Sequence, residues 1–87
     1  MLKLEYNMKK IILFGKEDCG LCQGWKKKFE NFSIPFSYFD IDDADNLTEF
    51  TLLGLTKIPT IIIGDKKFEG IKPSELSIDE IKKIIGI

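Results

Sequence analysis

Histidine and arginine are both missing: the 13 basic residues of this 87-residue chain are all lysine. Without an imidazole there is no Cys/His nucleophile pair and no Cys₂His₂ zinc site. Without a guanidinium there is no planar, two-pronged grip on phosphate or carboxylate. A compositional bias toward lysine and isoleucine accounts for the absence without a functional cause, and the exclusions hold either way. Long apolar runs are also missing. No stretch approaches the roughly 20 residues needed to cross a bilayer, and Ile11 to Phe14 is too short for a secretory h-region. A net charge of −1 supplies no field to gather nucleic acid or a membrane surface. Cysteine is scarce, with only 2, which excludes a disulfide-stapled secreted scaffold and makes a reducing cytoplasm the expected setting.

What is present reads as one small domain, with modest expected stability because a chain this short buries about two-thirds of its unfolded surface. Residues 1–7 read as an extension before a domain spanning 8–87. Met8-Lys9-Lys10 reads as a fresh start, while the alternation of Leu2, Leu4 and Tyr6 equally fits an extra edge strand. Lys10 to Phe14 is a continuously apolar strand, covered on both faces. A helix follows from Gly20 to about Phe32, its inner face predicted as Leu21, Trp25, Phe29 and Phe32, with Lys26, Lys27 and Lys28 turned mainly to water. After Pro35 a strand runs from Phe36 to Ile41. Asp40, Asp42, Asp43 and Asp45 lack the glycine and glutamate that a calcium loop requires, so one of them is expected to cap a helix instead. That second helix has Leu47, Phe50 and Leu53 on its predicted buried face and Gly54 at its end. Thr60 to Ile63 and Lys67 to Glu69 pair as a hairpin through Gly64-Asp65. Ser77-x-x-Glu80 opens a last helix carrying Ile78, Ile81, Ile84 and Ile85. The predicted order is βαβαββα.

The chemistry sits between the first strand and the first helix, at Cys19-Gly20-Leu21-Cys22. A Cys-x-x-Cys there is the redox motif of a thioredoxin-like chain. Cys19 falls where unpaired N–H groups and the helix dipole favour an anion. Cys22, one turn on, is expected to be buried and within bonding reach. The expected division has Cys19 attacking a disulfide and Cys22 resolving the mixed disulfide. Lys16 favours the thiolate, whereas Glu17 and Asp18 oppose it. A second anchor is Ile58-Pro59-Thr60. A proline opening a strand is compatible with a cis bond, and such a turn leaves the Ile58 backbone free to pair with an extended substrate.

These two anchors, with the hairpin and closing helix, resemble the thioredoxin/glutaredoxin superfamily over nearly the whole chain from Met8. The resemblance implies an α/β thioredoxin fold, a four-stranded mixed sheet flanked by three helices. It also implies a cis Pro59, Cys19 as nucleophile and Cys22 as resolving thiol. Lys16, Gly20, Leu21, Lys57, Ile58, Pro59 and Gly70 are the candidate substrate-binding residues. Size and spacing are closer to glutaredoxins than to thioredoxins. Gly20 matches the thioredoxin motif, while Leu21 departs from both families. Where glutaredoxins carry a Gly-Gly-x-Asp-Asp-like turn for glutathione, this chain has Gly70-Ile71-Lys72-Pro73, with Lys72 in place of the first acid. That stretch resembles the Gly-Phe-Arg-Pro of glutaredoxin-like redoxins that serve ribonucleotide reductase and draw electrons from thioredoxin reductase. The expected activity is reduction of protein disulfides by a cytoplasmic monomer, without organic cofactor or metal. A thioredoxin reductase-type donor is preferred, with glutathione as the alternative. From another class, a dimer could hold zinc or an iron–sulfur cluster between two Cys19/Cys22 pairs.

Overall fold

Isoleucine-rich segments with no polar interruption need cover on both sides, and they take the centre of the sheet. In the computed structural model, which describes residues 9–86, β1 (Ile11–Gly15) and β3 (Thr60–Ile63) are the inner strands, flanked by β2 (Ser37–Asp40) and β4 (Lys66–Glu69) in the order β2-β1-β3-β4. The expectations for residues 1–7, and for a start at Met8, lie outside the described residues. β1 runs parallel to β2, with Leu13 opposite Tyr38, and antiparallel to β3, with Phe14 opposite Thr60. β4 returns from β3 through Gly64-Asp65, where Gly64 takes φ 63°. Three helices complete the chain: α1 (Gly20–Asn31), α2 (Ala44–Leu52) and α3 (Ile78–Ile85), with a 3-10 turn at Pro73–Glu75 before the last. This is the predicted four-stranded mixed sheet with three helices. Among the described residues no helix is long and apolar enough to cross a membrane.

Strand side chains alternate between faces, and two apolar clusters follow. Ile11, Leu13, Ile61 and Ile63 meet Trp25 and Phe29 of α1 and Ile81 and Ile85 of α3. Phe14 and Ile62 meet Phe50 of α2 and Leu55 on the other side. Stacked Trp25 and Phe29 rings, with centroids 5.3 Å apart, anchor the first layer. Edge contacts of Phe14 with Phe39 and Phe50, at 5.5 and 5.4 Å, anchor the second.

Several side chains lie elsewhere than their spacing predicts. The buried stripe of α1 is Cys22, Trp25 and Phe29, whereas Leu21 is 42% and Phe32 55% exposed. Leu21 is rotated one position off the stripe, and Phe32 is the C-cap, where the chain already turns away. In α2 only Phe50 is buried; Leu47 and Leu53 lie at the surface, because this short helix touches the sheet through one ring. The lysine run is not a uniform solvated face. Lys28 Nζ donates to the Pro73 and Leu76 carbonyls. Lys26 pairs with Glu17 at 3.6 Å and sits 4.3 Å from the Tyr38 ring centroid, leaving Lys27 exposed. Long lysine stems reach carbonyls and rings that a helical wheel does not display.

The helix ends follow local chemistry. Asp43 caps α2, its carboxylate accepting from Asp45 N–H at 2.9 Å and Asn46 N–H at 3.2 Å, the role expected for one of the aspartates. Gly54, at φ 77°, closes α2 through Gly54 N–H to Thr51 O and Leu55 N–H to Phe50 O. Ser77 and Glu80 form the predicted capping box of α3. α1 ends in the same way as α2, with Ser33 N–H on Glu30 O and Ile34 N–H on Phe29 O, but its left-handed residue is Ser33 at φ 54°. A left-handed Cβ costs about 1–2 kcal/mol, while glycine loses about 0.4–1 kcal/mol through the unfolded chain. Ser33→Gly is therefore expected to stabilise by about 0.5–1 kcal/mol, read as a higher denaturant midpoint at unchanged m-value.

Candidate active site

The loop leaving β1 folds back on Lys16, whose carbonyl accepts from Cys19 N–H at 3.3 Å and from Gln23 Nε2 at 3.1 Å. This sets Cys19 as the N-cap of α1, in extended backbone (φ −97°, ψ 112°), its Sγ accepting from Cys22 N–H at 3.2 Å. A sulfur in that place faces the free N–H groups of the first turn, the local environment that stabilises a thiolate. Cys19 and Cys22 are joined as a disulfide with a Cα separation of 5.2 Å. The pair is unequal: Cys22 is 0% exposed, and Cys19 is half-buried at the surface.

Behind the pair lies a residue that the sequence reading did not single out. A Cβ built on Gly15 would stand 2.8 Å from both Cβ and Sγ of Cys22 and 3.4 Å from Cε1 of Tyr38. Only a residue without a side chain lets Cys22 pack against the end of β1. A glycine closing an otherwise β-branched and aromatic strand was the available signal, since such a glycine marks close approach of another group. Tyr38, also overlooked, has a buried hydroxyl with no hydrogen-bond partner among the described residues. Burial first, then the nearby carboxylates of Asp40 and Glu17, pushes its phenol up to about 12.

The second wall is built around the Ile58–Pro59 bond, which is cis. Phe14 pairs with Thr60, so the same register carried one residue on sets Pro59 across from Gly15, at the end of the sheet where the dithiol loop begins. Pro59 is buried, and its carbonyl accepts from Gly70 N–H at 2.8 Å. Gly70 is left-handed at φ 64°, and the Lys57 stem lies across it, Cδ being 3.3 Å from where a Cβ would sit. The following Ile71-Lys72-Pro73 segment is tied to α1. Trp25 Nε1 donates to Ile71 O at 2.8 Å, and Pro73 Cγ packs 3.1 Å from the Cβ position of Gly24.

The predicted site residues thus fall into two groups. Lys16, Cys19, Gly20, Leu21 and Cys22 belong to the loop and first turn of α1, while Lys57, Ile58, Pro59 and Gly70 belong to the loops bracketing β3 and β4. Lys16 is not a free cation, since its Nζ lies 3.6 Å from an Asp42 carboxylate oxygen. Among the described residues Lys57 and Lys72 make no ion pair. No cluster of three or more Cys, Asp or Glu side chains that could hold a metal ion occurs among the described residues.

A family profile described as glutaredoxin matches residues 11–68, from β1 into β4. The chain belongs to the glutaredoxin family. This glutaredoxin-family chain is 25% identical over 69 residues to the glutaredoxin-like protein NrdH of Escherichia coli, covering 78% of this chain and 85% of that one. The solved structure of the Escherichia coli NrdH-redoxin superposes with a TM-score of 0.62 at 26% identity, covering 74% of this chain and 86% of the other. A glutaredoxin from Archaeoglobus fulgidus covers 100% of this chain and 98% of its own at a TM-score of 0.62, and at 17% identity it speaks for the fold alone. Family membership and the helix-capping cysteine pair make the protein a thiol–disulfide oxidoreductase.

Proposed function

We propose that this redoxin reduces disulfides in proteins and is itself re-reduced by a thioredoxin reductase-type donor rather than by glutathione. The Cys19 thiolate attacks one sulfur of the substrate disulfide, the other sulfur leaves with the bonding electron pair, and a mixed disulfide forms. Cys22 then attacks Cys19, releases the second substrate thiolate, and leaves the protein oxidised as the Cys19–Cys22 disulfide. Two electrons from the donor restore both thiols. Chain segments entering the groove would meet the Ile58 backbone beside Pro59, with exposed Leu21 as an apolar contact. The working setting is a reducing compartment and the working form a monomer.

The observation that carries the choice of donor is Lys72. It stands exposed after Gly70, where glutaredoxins place an acid for the tripeptide's ammonium group, and the Lys57 stem lies across that glycine. Like charges at close range cost about 1–4 kcal/mol, the lower end applying at an exposed site. Support also comes from the likeness to the Escherichia coli NrdH-redoxin, a glutaredoxin-like protein with a thioredoxin-like activity profile, and from the resemblance to redoxins that serve ribonucleotide reductase. Turnover of an insulin disulfide is expected with NADPH and thioredoxin reductase, with at least about fivefold slower turnover when glutathione and glutathione reductase replace them, matching about 1 kcal/mol. Efficient coupling to glutathione alone overturns the assignment.

A further inference from the structure

The buried hydroxyl of Tyr38 is the one polar side-chain group among the described residues that is shut away from water without a partner. Buried polar groups in native proteins are paired in the large majority of cases, so an exception calls for a physical reason. Its surroundings are specific. Cε1, the ring carbon next to the one bearing the hydroxyl, and the Cys22 sulfur lie 3.4 and 2.8 Å from the same point, the vacant Cβ position of Gly15. The ring is covered by Lys26, 4.3 Å from its centroid and itself paired with Glu17. Asp40 follows two residues later on the same strand, and Gln23 donates one amide hydrogen to Lys16 O. In the disulfide-bonded state the phenol makes no well-formed hydrogen bond, although the Gln23 and Glu17 side chains lie near enough to bear on its titration.

We propose that Tyr38 donates a hydrogen bond to the Cys22 sulfur whenever the Cys19–Cys22 bond is open, and thereby stabilises the Cys22 thiolate. The proposal rests on the functional reading above for its place in the cycle. When a donor thiolate attacks Cys19, the Cys19–Cys22 bond breaks and Cys22 takes the electron pair as a buried thiolate. Burial opposes that charge, and a donor aimed at it offsets the penalty. The same contact acts in the other direction, when Cys22 must lose its proton to solvent before it attacks the mixed disulfide. The phenol transfers no proton. It is protonated at every working pH, because burial and the carboxylates of Asp40 and Glu17 hold its own titration far into alkali. Lys26 adds positive charge over the ring.

The test compares the wild type with Tyr38→Phe, which keeps the ring and deletes one oxygen. In a Cys19→Ser background, the ultraviolet absorbance of the Cys22 thiolate is titrated; the midpoint is expected about one pH unit higher without the hydroxyl. In the two-cysteine protein, the pH profile of mixed-disulfide resolution is expected to shift alkaline by the same amount, about tenfold slower at neutral pH. A merely structural tyrosine would change Tm without moving either profile. Should Tyr38→Phe fold poorly, labelled tyrosine in the reduced wild type decides: the Tyr38 Cζ resonance is expected to follow the Cys22 titration. Unchanged midpoints, or a resonance indifferent to Cys22, overturn the proposal. If the wild type turns over no disulfide, the functional reading fails while the thiol titration still decides the hydrogen bond.

Discussion

Cys19→Ser is expected to lower disulfide turnover by on the order of a thousandfold or more, to the uncatalysed background, because no other group of this chain can act as the nucleophile. The chain holds no histidine and only 2 cysteines. Cys22 cannot substitute, being 0% exposed beneath the first turn. Cys22→Ser has a different signature. The first exchange at Cys19 still runs, but nothing releases the captured sulfur, so the protein accumulates as a mixed disulfide visible by mass. Trapping with Cys22→Ser therefore also names the substrate. Equal loss in both variants with no trapped species would show that the two sulfurs are equivalent, contrary to the asymmetry at the helix start.

Gly15→Ala is expected to cripple the same cycle from behind. The added methyl would lie 2.8 Å from Cβ and Sγ of Cys22, closer than real Cβ contacts are found, and the Cβ is fixed to the helix backbone. Cys22 is held on one side by the first turn of α1, where its N–H bonds Cys19 Sγ, and α1 is fixed by Trp25 through Ile71 O. Relief requires moving the helix start or the end of β1. Gly15 O, however, accepts from Ile41 N–H at 2.9 Å, which holds the strand end. Overpacking of this kind costs about 1–3 kcal/mol. The expected results are an unfolding free energy lower by that amount in the reduced protein, and closure of the disulfide at least about tenfold slower than in the wild type. Wild-type closure kinetics in Gly15→Ala would mean that the wall behind Cys22 yields.

The fold was largely legible because its signals are local. Ile11 to Phe14 and Thr60 to Ile63 are apolar without a break, and the central strands of the sheet are those two. Ser77 and Glu80 lie three apart at the start of α3, Gly54 ends α2, and Gly64-Asp65 turns the hairpin. Side-chain placement at element ends was less legible. Leu21, Phe32, Leu47 and Leu53 satisfy helical spacing yet lie at the surface, because periodicity assigns a face and not how far the neighbouring layer extends. Lys26 and Lys28 read as solvated for the opposite reason: their partners, Tyr38 and the Pro73 and Leu76 carbonyls, come from distant parts of the chain.

The amino-acid order alone determined the chemistry available to this protein: one cysteine pair three positions apart at a helix start, no imidazole, no guanidinium, and a proline opening a strand. Such facts are carried by residue type and short spacing, which chain connectivity enforces. Only tertiary packing decided that Gly15 leaves room for the buried Cys22 sulfur, that the Tyr38 hydroxyl is enclosed without a well-formed hydrogen bond, and that Lys57 lies across Gly70. Each of those depends on two or more segments meeting in space at van der Waals distance, and no local pattern encodes a contact whose other half lies far along the chain.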